Sequence, residues 1–244
     1  MMIRMRARAA WVRRALAAAV AGAAFVAVPA AGQDLTAYAT ASIDGYDTNV
    51  QLVGASVRPG GLGLQPVLGV QVFHLGFNPS GPGSVDRFGV TPSVGASYRM
   101  PTGSVEARVG YTIQNEDNGP IVDGAGGKDG FNVALQGNYW GTGGGPELQG
   151  IATYSISSDY TWNQAQATVP VATYGTHAIK AGAEAVFESA TSGPSYHAYS
   201  VGPLVRVTTS SHSSFALSGG FKDSNTRAGT WYARAGFVVY GIHL

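Results

Sequence analysis

The sequence predicts an all-β protein: a closed, antiparallel, up-and-down transmembrane β-barrel of about twelve strands, with ten to fourteen compatible. Three observations predict it. Past residue 33 apolar and polar residues alternate with period two, in segments separated by Gly, Pro, Asn, Asp and Ser. Only 12% of the residues are charged, although no long apolar run is present, whereas soluble domains carry about 25%. The leading segment reads as an export signal.

That leader has a basic start, Arg4, Arg6, Arg8, Arg13 and Arg14, followed by an apolar, alanine-rich stretch from Ala15 to Val28. The stretch is shorter than the ~20 residues of a spanning helix. Pro29 stops any helix there, and Ala30-Ala31-Gly32 supplies small residues for cleavage before Gln33. The expected organisation is a cleaved signal peptide over 1–32 and one barrel domain over 33–244, delivered to the outer membrane of a Gram-negative cell. Removing five of the 15 basic residues leaves ten against 14 acidic ones, a net charge of −4. The whole-chain pI of 8.0 therefore reflects the leader, and a basic nucleic-acid footprint is absent. There are no cysteines. An exported chain would be free to form disulfides, so this one holds its fold by other means.

The clearest alternation is Val105-Glu106-Ala107-Arg108-Val109-Gly110-Tyr111-Thr112-Ile113-Gln114. The segments 131–139, 179–187, 215–221 and 231–239 repeat it. Strands are expected near 35–43, 49–58, 64–76, 86–99, 104–115, 129–140, 147–157, 160–171, 176–188, 195–208, 213–223 and 229–242. With a periplasmic N-terminus, the connections near 59–61, 100–103, 141–146, 172–175 and 209–212 are the inner turns. Of the outer connections, those near 77–85, 116–128 and 189–194 are longer, while those near 44–48 and 158–159 are short.

Charge placement separates a barrel from a β-sandwich. Glu106, Arg108, Lys180 and Glu184 share the polar parity of their strands, and Arg99, Arg206 and Arg234 follow them. A cation on a lipid face costs about 2–4 kcal/mol at the midplane, and this arrangement avoids that cost. The lumen-facing candidates are therefore Arg99, Glu106, Arg108, Gln136, Asn138, Gln164, Gln166, Lys180, Glu184, Arg206 and Arg234. The lining they suggest is mainly neutral and polar, suited to sugar hydroxyls or water. A barrel plugged by hydrogen-bonded side chains fits the same residues.

Aromatic residues, among them Tyr98, Tyr111, Tyr139, Trp140, Tyr160, Trp162, Phe187, Phe215 and Trp231, fall near strand ends, as interfacial girdles do. Pro66, Pro92, Pro170 and Pro203 sit in or near strands, where proline removes a ladder hydrogen bond. A bulge is expected at Pro203. The apolar parity of Tyr240, Ile242 and Leu244 conflicts with that of Trp231 and Phe237, so either one register is wrong or a bulge lies between them.

Reactive motifs are few. The sequence has no Gly-x-Ser-x-Gly elbow, no His-Glu-x-x-His and no cysteine metal site. Gly124-Ala125-Gly126-Gly127-Lys128 has the wrong spacing for a phosphate loop, and Asp129 follows the lysine. Asn115-Glu116-Asp117-Asn118 with Asp123 and Asp129 gathers oxygen ligands without an EF-hand spacing. Of the five histidines, His177, His212 and His243 fall at inner ends and His74 and His197 towards the outer rim. A Ser–His pair there, for example Ser195 with His197, is an arrangement open to an outer-membrane lipid hydrolase. No cofactor or metal is expected.

The order of several short motifs is informative. Val109-Gly110-Tyr111 precedes the Asn115-Glu116-Asp117 loop. Gly126-Gly127-Lys128-Asp129-Gly130-Phe131-Asn132-Val133 then leads to Asn138-Tyr139-Trp140. Tyr154 to Trp162, Val201-Gly202-Pro203 and Leu217 to Asp223 follow. This order resembles the BcsS-type cellulose-biosynthesis proteins, small outer-membrane barrels encoded with bacterial cellulose synthases. The likeness covers most of the mature chain and is weaker over 35–100. It implies a non-enzymatic accessory role in export or anchoring of a cellulose-like glucan, with outer-membrane lipid, the polysaccharide and cellulose-synthase components as partners. It carries no catalytic residues. The alternatives that the residues leave open are a porin-like channel for small solutes and a lipid-modifying enzyme.

Overall fold

The computed structural model describes residues 32–77, 85–114, 129–141, 144–175, 177–191, 195–210 and 212–243. The leader up to residue 31, the Gly124–Lys128 segment and the ligand-rich loop up to residue 128 lie outside them. The described chain forms twelve strands: β1 (Gln33–Asp44), β2 (Asn49–Pro59), β3 (Gly63–Phe77), β4 (Val85–Met100), β5 (Gly103–Gln114), β6 (Gly130–Tyr139), β7 (Glu147–Ser155), β8 (Tyr160–Tyr174), β9 (His177–Ala190), β10 (Tyr196–Ser210), β11 (Ser213–Ser224) and β12 (Thr230–His243). Each pairs antiparallel with its chain neighbours, and β1 closes the ring on β12. Closure leaves no edge strand with unpaired backbone groups, which a wall in hydrocarbon cannot carry.

The register carries one parity around the whole ring. Glu106 pairs with Ser97 and Gln136, Gln136 with Ile151, and Ile151 with Gln164. These residues share the inner face. Their neighbours point out: Val105, Val109, Leu135 and Phe215 are 47%, 49%, 51% and 36% exposed. A soluble sandwich would bury these four and expose the charges. Here Glu106 and Glu184 are buried instead, so the outer wall is built to be solvated by lipid.

Aromatics mark both rims of that wall. Near the ends away from Gln33, Tyr111 meets Phe131 edge to face, with ring centroids 5.1 Å apart. Phe187 pairs with Tyr199, and Phe221 with Trp231. Tyr98, Tyr139, Phe215 and Phe237 form the opposite band of exposed rings, while Trp140, just past β6, lies against the inward-facing Arg99 guanidinium, 5.8 Å from its ring centroid. Two girdle assignments are corrected. Tyr160 and Trp162 share the parity of Gln164 and Gln166 and face the lumen, Trp162 opposite Thr153 in the register.

The prolines are accommodated mostly without bulges. Pro203 stays in register with Ala183 on β9, while pairing with β11 skips it and resumes at the same offset, from Val201↔Phe221 to Leu204↔Ser218. The expected bulge at Pro203 is absent. Gly202 and Gly220 let the two backbones approach there: a Cβ on Gly202 would lie 2.2 Å from the Gly219 carbonyl oxygen. Pro92 repeats the device towards β5. Pro66 pairs with Ala96 on β4, beyond the last β2 partner, Leu68. Pro170 alone sits at a register shift.

The parity conflict near the C-terminus resolves as a bulge. Leu35 pairs with Ile242 but Ala37 with Val239, so β12 holds one extra residue. Gly241 in this stretch has φ 64°, the left-handed conformation of a glycine bulge.

Leu135→Arg places a cation on the outer face near the middle of β6 and is expected to destabilise the barrel by about 2–4 kcal/mol. The same change at the neighbouring inward Gln136 is expected to cost well under that. Denaturant unfolding of both variants in lipid vesicles reads the difference, and equal costs would contradict the assignment of faces.

Candidate functional site in the barrel lumen

All eleven residues singled out by parity lie on the inward register: Arg99 on β4, Glu106 and Arg108 on β5, Gln136 and Asn138 on β6, Gln164 and Gln166 on β8, Lys180 and Glu184 on β9, Arg206 on β10 and Arg234 on β12.

Glu184 organises the largest group. Its Oε2 accepts hydrogen bonds from the Gln164 and Gln166 side-chain amides, both at 2.6 Å. Its Oε1 accepts from the Ser218 hydroxyl at 2.8 Å and from the Arg234 guanidinium at 2.7 Å. A carboxylate offers about four lone-pair sites, and all are taken. That saturation is what makes a side chain with 0% exposure tolerable as a charge. Arg234 also sits over the Trp162 ring, 5.9 Å from its centroid. Next to this group Arg206 donates to Gln166 Oε1 at 2.6 Å and to Gln149 Oε1 at 3.1 Å. Lys180 bonds Glu147 at 2.5 Å. Gln166 is therefore held at both ends, its amide by Glu184 and its carbonyl by Arg206.

The other predicted charges belong to different groups. Glu106 pairs with Arg108 at 2.9 Å and with Arg58 at 3.5 Å, and Arg99 pairs with Asp34 at 2.7 Å. Asn138 donates to the Ser104 hydroxyl at 3.3 Å. Nearer the opposite end Lys222 lies between Asp44 at 2.9 Å and Glu188 at 3.5 Å. Asp44 also accepts the backbone N–H groups of Tyr46 and Thr48, so it shapes the β1–β2 turn as well.

The lumen carries more charge than the sequence reading assigned to it. Inward positions of the described strands hold eight basic residues (Arg58, Arg87, Arg99, Arg108, Lys180, Arg206, Lys222, Arg234) and six acidic ones (Asp34, Asp44, Glu106, Glu147, Glu184, Glu188). The expectation of a mainly neutral lining is corrected accordingly. Parity was sufficient to find several that went unnamed: Lys222 lies out of phase with Phe215, Leu217 and Phe221, and Glu188 lies in phase with Glu184.

The two residues proposed for hydrolysis are held by a third. Asn225 donates its side-chain amide to the Ser195 carbonyl and accepts the His197 backbone N–H, at 2.8 and 2.9 Å. His197 is exposed, and its strand position points it away from the lumen. His212 lies against the Tyr240 carbonyl at 3.2 Å. Among the described residues no cluster of His, Asp and Glu has the arrangement of a metal site.

Glu184→Ala removes the fully buried acid of this pair, leaves the partly exposed Arg234 without its carboxylate, and is expected to cost about 3 kcal/mol. A double variant, Glu184→Leu with Arg234→Met, is expected to recover most of that. Unfolding in vesicles, read as a double-mutant cycle, measures the coupling, and additive losses would show that the pair does not act as a unit.

No family model matches this chain, and no curated protein matches it in sequence. Solved structures do match in shape. An outer-membrane channel from Pseudomonas putida F1 is 14% identical with a TM-score of 0.54, covering 88% of this chain and 97% of that one. The β domain of the Bordetella autotransporter BrkA is 13% identical with a TM-score of 0.52, covering 86% and 99%. At such identities the likeness is one of fold: this chain has the closed antiparallel barrel found in outer-membrane proteins.

Proposed function

We propose that the protein resides in the outer membrane as a non-enzymatic barrel that assists assembly or export of a cellulose-like glucan, with components of the synthase machinery as partners. The observation that carries this reading is the state of the lumen charges. Glu184, Glu106, Glu147, Asp34, Lys222 and their partners are engaged with one another. The inner wall therefore meets a passing solute with amides and hydroxyls. Such a lining recognises a neutral, hydroxyl-rich polymer in preference to an ion. The order of motifs after residue 100 points to the same class of process. The hold of Asn225 on the Ser195 and His197 backbones supports a structural role for that rim and favours the non-enzymatic reading.

A second reading, a channel for small solutes, is favoured by one observation: many inward positions, including Gln136, Gln149 and Ser218, remain partly accessible to solvent. The solved Pseudomonas putida neighbour is itself described as a channel.

Deleting the gene in its native host is expected to lower secreted glucan, measured as glucose released by cellulase, and the wild-type gene is expected to restore it. Unchanged glucan output would reject the accessory role. In planar bilayers the first reading expects small conductance; large, steady, unselective currents would favour the second. Alanine at both Ser195 and His197 is expected to leave the lipid A mass spectrum of the host unchanged, and an altered spectrum would reinstate an enzymatic role.

A further inference from the structure

The accessible part of the lumen is unevenly distributed, and its chemistry is uneven in the same way. On β3 and β4 the inward Gln65, Val67, Arg87, Thr91 and Ser97 are buried, and on β9 and β10 so are Glu184, Val186, Ala198, Ser200 and Leu204. These arcs lie opposite each other in the ring. On β6, β7 and β8 every inward position from residue 130 to 166 keeps partial exposure. Strands β6 and β8 place no Asp, Glu, Lys or Arg on this face, and β7 places only Glu147, which Lys180 holds.

We propose that the inner faces of β6, β7 and β8 form a binding track for an uncharged saccharide chain. The proposal deepens the glucan reading above and rests on it for the choice of ligand. The register stacks the track in rungs. Asn138, Gln149 and Gln166 share one, and Gln136, Ile151 and Gln164 share the next. Thr153 and Trp162 come after them, two residues further along each strand. From Asn138 to Asn132 the track runs about 20 Å at roughly 3.4 Å per residue, the length of several pyranose units.

Three features fit it to sugar. Hydroxyl groups both donate and accept, and side-chain amides answer both demands. The amides are set in advance: Glu184 takes the N–H side of Gln164, which leaves the Gln164 carbonyl oxygen as its acceptor for a ligand hydroxyl. Groups whose orientation is fixed before binding lose less entropy when the ligand arrives. Trp162, partly exposed and steadied by Arg234, offers a flat apolar surface to the C–H face of a pyranose ring. An anionic chain would find no unengaged cation on β6, β7 or β8 to offset its desolvation.

The test uses the full mature barrel in nanodiscs, with cellohexaose as the neutral probe and a hexa-uronate of similar length as the charged one, both read by calorimetry. Cellohexaose is expected to bind, with the uronate weaker by about tenfold or more. Trp162→Ala and Gln164→Leu are expected to weaken cellohexaose by about tenfold. Trp162→Phe should retain most of the affinity, and Asn163→Leu, one position along on the outer face, should retain all of it. Each variant is first checked for the heat-modifiable migration of a closed barrel. Equal binding of both probes, or undiminished binding by both Trp162→Ala and Gln164→Leu, would overturn the track. Absent cellohexaose binding alongside loss of glucan in the deletion strain would remove the track and leave the accessory role. Binding alongside unchanged glucan output would remove the role and leave the track.

Discussion

A wall one strand thick that separates two solvents must keep its parity all the way round. Each strand alternates between hydrocarbon and lumen, and one extra residue in the middle of a strand would send every later side chain to the wrong side. The ring must also close, because β1 finds its last backbone partners on β12. These two demands explain where the irregularities sit. The register shifts lie at Leu35/Ala37, Pro170/Ala172 and Thr208/Ser210. All three are at the rim that holds Gln33, at the first residues of β1 and the last of β8 and β10. Towards the other rim the parity runs unbroken. Pro203 and Pro92 lie deeper in their strands and are handled by losing a ladder bond with the register kept, because a bulge there would invert the rest of the strand.

The same constraint disposes of the charges. A chain with so few ionisable residues puts nearly all of those on its strands inside, where they meet across the barrel. Four contacts join strands three apart: Asp34 on β1 with Arg99 on β4, Arg58 on β2 with Glu106 on β5, Glu147 on β7 with Arg206 on β10, and Glu184 on β9 with Arg234 on β12. Backbone pairing fixes only adjacent strands. Contacts at this reach fix the curvature of each arc, and with it the cross-section of the lumen.

Much of this was legible in the sequence, for a definite reason. Period-two alternation is a local property, so the twelve strands and the inward face of Glu106, Arg108, Lys180 and Glu184 can be read one segment at a time. Trp162 shows the limit of reading by residue type: an aromatic near a strand end looked like a girdle residue, yet its parity with Gln164 and Gln166 placed it inside. Pro203 shows a second limit, since its tolerance depends on Gly202 and Gly220 on facing strands. The partners of the charges were the least legible. Whether Arg234 meets Glu184 or Glu188 depends on the stagger of β12 against β9 through two intervening strands, and that offset accumulates around the barrel.

Saturating the charges of the β9–β10 arc in ion pairs and leaving the neighbouring β6, β7 and β8 almost free of charge is a particular solution to the interior of a barrel. Apolar filling of β9–β10 throughout would occupy the same space, but it could not orient the amides beside it. Unpaired charges would orient them but would also hold counter-ions in the path. A saturated carboxylate such as Glu184 orients Gln164 and Gln166 and keeps no site for a further ligand on itself. The acid on β9 thus determines what the amides on β8 can offer, and the selectivity of the open sector is decided in the sector that is closed.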